Sequence, residues 1–135
     1  MSVALVEQLA RCFWVGDRDG ARELLHPRIR IQQPASLPHG GWHEGLDGMD
    51  KMGAVFAQHW ERKIADPRVL GCGERVVQVT TQTWTAKETA RSATVDVVEL
   101  FSFADDRIAE IRVFQQDTHA LLQTLSPPTA TPGSP

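Results

Sequence analysis

All the long β-type runs of this chain lie in its second half, and that segregation constrains the fold more than any single motif. Residues 75–85 read RVVQVTTQTWT, residues 94–103 TVDVVELFSF and residues 108–116 IAEIRVFQQ. Val, Ile and Thr branch at Cβ and favour extended backbone; turn-like stretches at residues 87–91 and 104–107 separate the runs. Residues 69–70 predict a further short strand. The first half reads differently. Leu5, Val6, Leu9, Cys12 and Phe13 make one helical stripe, which Ser2 can cap and Gly16 ends. Asp17 can cap a second, short helix with Ala21, Leu24 and Leu25. It stops before Pro27, because a residue preceding proline is pushed out of the α region. Residues 28–33 alternate, with Ile29, Ile31 and Gln33 on one face of a strand. After a Pro- and Gly-rich loop at residues 34–45, Asp47 can cap a third helix to about Lys63. Its stripe is Met49, Met52, Phe56 and Trp60, and Pro67 closes the region.

Helices first and a strand meander afterwards argue an α+β fold, with helices on one face of a mostly antiparallel sheet. A strongly curved sheet leaves a cavity beneath such helices, where small ligands bind. The 135 residues fit one domain, expected over residues 1–125. Residues 126–135, SPPTATPGSP, contain four prolines and nothing large to bury, so disorder is expected there.

Charge and motifs exclude several classes. A net charge of −3 gives no reason to expect a nucleic acid or an anionic membrane as partner. The first residues lack a basic start, and Glu7, Gln8 and Arg11 interrupt them, so they do not read as a signal peptide. No run approaches the roughly 20 apolar residues of a membrane span; a cytoplasmic location is the default expectation. Cys12 and Cys72 make neither a metal motif nor a disulfide framework, and Cys12 reads as a core thiol. His39 and His43 lie on a loop rather than a helix, so no metal pair is expected. With no nucleophile elbow, P-loop or dinucleotide fingerprint, no cofactor is implied. Arg28, Arg30, Arg62 and Lys63 read as parts of solvated faces.

Three runs carry a family resemblance. FWVGDRDGARELLHPRIRIQQP resembles the opening of SnoaL-like polyketide cyclases and ketosteroid isomerase-like proteins of the nuclear transport factor 2-like superfamily. HEGLDGMDKM is similar to the lead-in to their third helix, and DRIAEIRVFQQDTHALLQTL to their closing strand and short helix. The resemblance covers about residues 4–125. It implies a cystatin-like α+β barrel: a strongly curved sheet wrapped around a long helix, two further N-terminal helices and a cone-shaped pocket. It also implies a homodimer by analogy. The chain departs from the isomerases at Gln33, which stands before Pro34 where they keep a catalytic Asp, and it contains no Tyr. An amide is no proton-shuttling base. The Arg-x-Asp pair of limonene-epoxide hydrolase-like enzymes is absent from residues 75–85. Asp117 matches the acid/base Asp that the SnoaL-like cyclases carry near the end of their last strand.

The residues themselves nominate a site. Asp117 follows Ile111, Val113 and Gln115 at period two, so it is either a pocket carboxylate or the cap of the turn that follows. Glu99 shares a face with Val95, Val97, Phe101 and Phe103. It is either functional, or paired with an Arg such as Arg112, or at an edge in water. His59 is a candidate helper beside Trp60. Gln33, His39 and Trp42 are expected at the pocket, with Leu37 and Trp42 as apolar lid. Trp60, Trp84, Val113 and Gln115 are expected on its wall, and Trp84 and Phe114 read equally as core. Two functions follow: a cofactor-independent isomerase or cyclase working by proton transfer on a small, largely apolar molecule, or a binding or dimerisation domain without catalysis.

Overall fold

The computed structural model describes residues 2–127. Its elements are α1 (Ser2–Val15), α2 (Arg18–Leu24), β1 (Leu25–Gln33), β2 (Gly41–Glu44), α3 (Gly45–His59), β3 (Trp60–Cys72), β4 (Arg75–Ala86), β5 (Ser92–Ala104), β6 (Arg107–Gln115) and α4 (Thr118–Gln123). One six-stranded sheet runs in the order β2-β1-β6-β5-β4-β3. Only the β1–β6 pair is parallel. The sheet is curved and not closed: β2 and β3 remain edges, so the expected barrel is an open half-barrel. Register irregularities, of the kind that bend strands, interrupt the ladders between Leu25 and Arg30 on β1, Ala65 and Arg68 on β3, and Ser102 and Phe103 on β5. On β3 the chain turns through Asp66, with φ of 51°, into Pro67.

Local chemistry sets the ends of these elements. α1 stops in a Schellman arrangement. Gly16 takes a φ of 74°, its N–H donates to the Phe13 carbonyl at 3.4 Å, and the Asp17 N–H donates to the Cys12 carbonyl at 2.8 Å. The Asp17 carboxylate then caps α2 by accepting from the Gly20 N–H at 2.9 Å. The β5–β6 hairpin turns on Asp105 and Asp106, both at positive φ, as a two-residue hairpin with primed twist requires.

Several boundaries differ from the sequence reading: β1 already starts at Leu25, and α3 starts at Gly45 with Glu44 rather than Asp47 at the cap position. α3 ends at His59, four residues early, because Trp60 already has extended backbone and pairs with Ala86. The Trp60 indole N–H donates to the Thr124 hydroxyl at 2.8 Å, which pins the start of β3 under α4. β3 is 13 residues long rather than a short strand at residues 69–70. The loop after β1 contains an unexpected edge strand, β2, whose Trp42 stands opposite Gln32. The disorder expected of the tail concerns, from residue 128 onward, residues outside those described. Ser126 is held, its carbonyl accepting from the Arg91 Nη1 at 2.7 Å.

On the sheet's concave side the alternation of β4 buries Val76, Gln78, Thr80, Gln82, Trp84 and Ala86. Val97 and Phe101 of β5, and Ile111 and Val113 of β6, continue that surface. α1 lies across it against β3, β4 and β6, burying Val6, Leu9 and Cys12, while α3 bridges from β1 and β2 to β3. The helices do not fill the concavity.

Candidate functional site

Between α1 and the concave face lies a cavity of about 700 Å³, within the usual range for small-molecule sites. Val6, Leu9 and Ala10 roof it, and Phe13 and Trp14 stand at its rim. Trp14 is 80% exposed there, an unusual position for the largest apolar side chain. Ile64 and Pro67 of β3, Trp84 of β4, Val97 and Phe101 of β5, and Ile111 and Val113 of β6 supply the apolar wall. The polar groups come from different strands: Gln33, Arg62, Lys63, Gln78, Thr80, Gln82, Glu99 and Gln115, with His39 from the β1–β2 loop.

Some of these groups are held in place by one another. The Trp84 indole N–H donates to Gln82 Oε1 at 2.9 Å, and Gln82 Nε2 donates to the Thr80 hydroxyl at 2.9 Å. This ladder runs down one face of β4 because alternate residues share that face. Gln33 Nε2 reaches Met52 Sδ at 3.5 Å.

Glu99 is different. It pairs in register with Gln78 on β4 and Val113 on β6, between Val97 and Phe101 on its own strand. Burial pushes its carboxyl pKa above the usual range; the Arg62 charge opposes that only in part. Among the described residues no cation lies within 4.0 Å of Glu99. The Arg112 partner considered from the sequence is on the other face, where its Nε donates to Gln32 Oε1 at 2.9 Å.

His39 is presented by a tight loop. Leu37 N–H donates to the Pro34 carbonyl at 3.1 Å and Gly40 N–H to the Leu37 carbonyl at 2.9 Å. A Cβ on Gly40 would collide with the carbonyls of Pro34, Ala35 and Leu37. The loop buries Leu37 and leaves His39 4% exposed, edge-on to Phe56 at 5.3 Å and close to Trp60 and Trp84. His39 Nδ1 is buried with no hydrogen-bond partner among the described residues. Desolvation, then the positive charge of Arg62, lowers its pKa to about 4, so the ring is neutral at physiological pH.

The structure brings Glu99, Gln33, His39, Trp84, Val113 and Gln115 to this one cavity. It leaves the other sequence candidates outside the lining. Asp117 is exposed, and its carboxylate caps α4 by accepting from the Ala120 N–H at 3.0 Å. The last strand ends at Gln115, so the period-two alternation that put Asp117 on the cavity face stops short of it. Trp42 points away from the cavity, 41% exposed, with the Arg30 guanidinium 4.2 Å from its ring. Trp60 is core, and His59 flanks it from the end of α3. Phe114 is on the convex face, 46% exposed. Among the described residues no cluster of His, Cys, Asp or Glu has the makings of a metal site, and no helix is long and apolar enough to cross a membrane.

A family model for the SnoaL-like domain matches residues 6–111. The chain belongs to the SnoaL-like domain family. Solved structures agree on the fold of this SnoaL-like domain. A nuclear transport factor 2-like protein of unknown function from Burkholderia pseudomallei is 26% identical with a TM-score of 0.82, over 93% of this chain and 99% of that one. A protein provisionally assigned as a SnoaL-like polyketide cyclase, from Jannaschia sp., is 25% identical with a TM-score of 0.72, over 93% of both chains. TerC, co-crystallised with polyporic acid, is 21% identical with a TM-score of 0.81, over 92% of this chain and 97% of that one. No curated protein matches the sequence.

The sequence reading missed Arg62, because it extended α3 to about Lys63 and so put Arg62 on a solvated helix end. A signal was present: Trp60, Arg62 and Ile64 alternate in WERKI, the period of a strand. In the SnoaL-like domain Arg62 stands opposite Trp84 in the β3–β4 register and lines the cavity.

Proposed function

We propose that this SnoaL-like domain binds a small, largely apolar molecule in the α1-roofed cavity and moves a proton on it without a cofactor, with Glu99 as the acid–base group. The observation that carries this reading is a carboxyl group among Val97, Phe101 and Val113 with no cation within 4.0 Å. Burial raises the pKa of such a group above the ordinary carboxylate value, the direction that general acid–base catalysis near neutral pH requires. Isomerisation of a carbonyl compound and aldol-type cyclisation are the reaction classes that need one proton carrier and a dry apolar wall. That TerC was co-crystallised with polyporic acid supports a cavity of this fold taking a small organic molecule. A second reading, a binding domain without catalysis, is favoured by Gln33, an amide where the resembling isomerases keep their base. We further propose that two copies associate through the convex face of the sheet.

Exchange of α-protons tests the enzyme reading. Simple apolar ketones are incubated with the protein in D₂O and followed by proton NMR. Deuterium should enter the α-position faster than in buffer, and Glu99→Gln should return the rate to background. Exchange at the buffer rate with the parent protein across the ketone series favours the binding domain.

A further inference from the structure

Arg62 presents a charge that the fold does not use. It is the third residue of β3, and its guanidinium lies 5.0 Å from the centre of the Phe56 ring, which fixes the planar group by a cation–π contact. From there it faces the cavity shared with Glu99 and His39. Among the described residues none of its five N–H donors meets a carboxylate within 4.0 Å, whereas Gln33, Thr80, Gln82 and His39 are each tied to a neighbour or packed against aromatic rings. Arg62 is exposed on the edge strand, and desolvation by the surrounding protein still lowers its pKa, with the Glu99 charge opposing that in part. It is exposed toward the cavity, and a guanidinium open to a cavity with no carboxylate within 4.0 Å can take an anionic oxygen.

We infer that Arg62 is the anion-binding group of the cavity, and that its ligand is an apolar molecule carrying one oxygen function that is anionic when bound or becomes so during reaction. Two neighbours support this. Glu99 shares the cavity but makes no ion pair with Arg62 within 4.0 Å, so its carboxyl does not occupy the guanidinium. His39 is held neutral partly by the Arg62 field, and the field that repels a proton from His39 attracts an oxyanion. Lys63 lines the same cavity and adds positive potential. Leu9, Phe13, Trp84, Val97 and Phe101 supply the surface for the apolar body, and about 700 Å³ accommodates a fused two-ring molecule. The oxygen function has two sources: a carboxylate already ionised, or an enolate formed from a ketone by the proton transfer proposed for Glu99. The inference rests on that reading for the second source alone.

Isothermal titration calorimetry with isosteric probes tests it, and needs no turnover. The probes are 2-naphthoate and 2-naphthamide, equal in shape and different in charge. The parent protein is expected to bind 2-naphthoate at least tenfold more tightly than 2-naphthamide. Arg62→Gln should weaken 2-naphthoate about tenfold and leave 2-naphthamide within about twofold, removing the discrimination. Arg62→Lys, which keeps the charge and loses the planar fork, should retain a preference for 2-naphthoate, and it carries the test if the Gln variant does not fold. Equal affinity of the parent for both probes, an unchanged 2-naphthoate affinity in Arg62→Gln, or no binding of either probe at millimolar concentration overturns the inference. A 2-acetonaphthone arm separates the sources. Arg62-dependent binding of 2-naphthoate without α-proton exchange of the ketone assigns the site to carboxylates and sinks only the proton-transfer reading. Exchange lost in Arg62→Gln assigns it to an enolate as well.

Discussion

Arg62 on β3 and Glu99 on β5 look into one cavity with β4 between them, and no ion pair within 4.0 Å joins them. The opposite charge is close enough to be felt and too far to offset the desolvation of the carboxyl group. A raised carboxyl pKa has a definite consequence for stability. Below about pH 4.5, the reference value, the group is protonated folded and unfolded. As pH rises through the window between that value and the folded pKa, the unfolded chain releases the proton and the folded one keeps it. Stability therefore falls steadily across that window, by about 1.4 kcal/mol for each pH unit the window spans. Glu99→Gln removes the fall. Urea denaturation should find variant and parent alike at pH 4 and the variant more stable at pH 8. A parent more stable than the variant at pH 8 would mean that Glu99 is ionised and paired.

His39 works with the opposite sign. Its pKa falls from 6.5 to about 4 on folding, so between those values the unfolded chain binds a proton that the folded one rejects. The stability it contributes is full above about pH 6.5 and is lost as pH drops through the window, by at most about 3 kcal/mol. The two slopes oppose each other in the parent protein, and single variants separate them. His39→Phe should be relatively more stable than the parent near pH 4.5 than at pH 8. In the parent, the His39 ring protons should show no titration above pH 5.5 by NMR; a midpoint near 6.5 would contradict the burial.

Asp117 makes the contrasting case of a carboxylate whose work is local. Its bond to the Ala120 N–H caps a helix of only 6 residues, and the following Leu121 is fully buried. Asp117→Ala should cost about 1 kcal/mol in urea denaturation, the usual loss for a removed cap. It should leave 2-naphthoate affinity and α-proton exchange unchanged. A variant of parental stability that had lost exchange would return the acid–base role to Asp117.

The order of elements was legible because it rests on periodicity, which a sequence carries directly. The alternation from Arg75 to Thr85 survives as one buried face, and of the stripe Leu5, Val6, Leu9, Cys12 and Phe13 the middle three are buried while Phe13 stands exposed at the cavity rim. Glu99 stood out for the same reason, as one charge in an apolar alternation. What was not legible depended on where a period stops. Trp60 continues the α3 stripe in sequence yet opens β3, since its indole N–H finds Thr124, which is 64 residues away. That single switch moved Arg62 from a surface to a cavity. Of the two readings of Asp117, the cap is the one the structure bears out, and the strand ends before its alternation reaches the cavity. Trp42 was placed by its composition alone, an aromatic in a glycine-rich loop, whereas the β1–β2 register turns it outward against Arg30.

The convex face offers the last test. The register sets Leu70, Val77 and Leu100 in one row across β3, β4 and β5, and Val79, Val98 and Phe114 in the next across β4, β5 and β6. Leu70 is 61% exposed and Phe114 46%, so the rows are open to solvent in a single copy. Arg112, its guanidinium 5.4 Å from the Phe114 ring, and Asp96, bonded to the Thr81 hydroxyl at 2.8 Å, supply charges of both signs at the margin. An isologous pair brings the same patch from each copy, and a stable interface needs about 800 Å² per partner. A face four strands wide with an apolar centre and charged margin has that form. Leu100→Arg puts one charge in the middle of the patch on each copy, where a monomer tolerates it in water and a dimer would bring like charges together. Sedimentation at micromolar concentration should show the parent as a dimer and the variant as a monomer with the same 2-naphthoate affinity per chain, because Leu100 points away from the cavity. A parent that sediments as a monomer at 100 μM removes the proposed association.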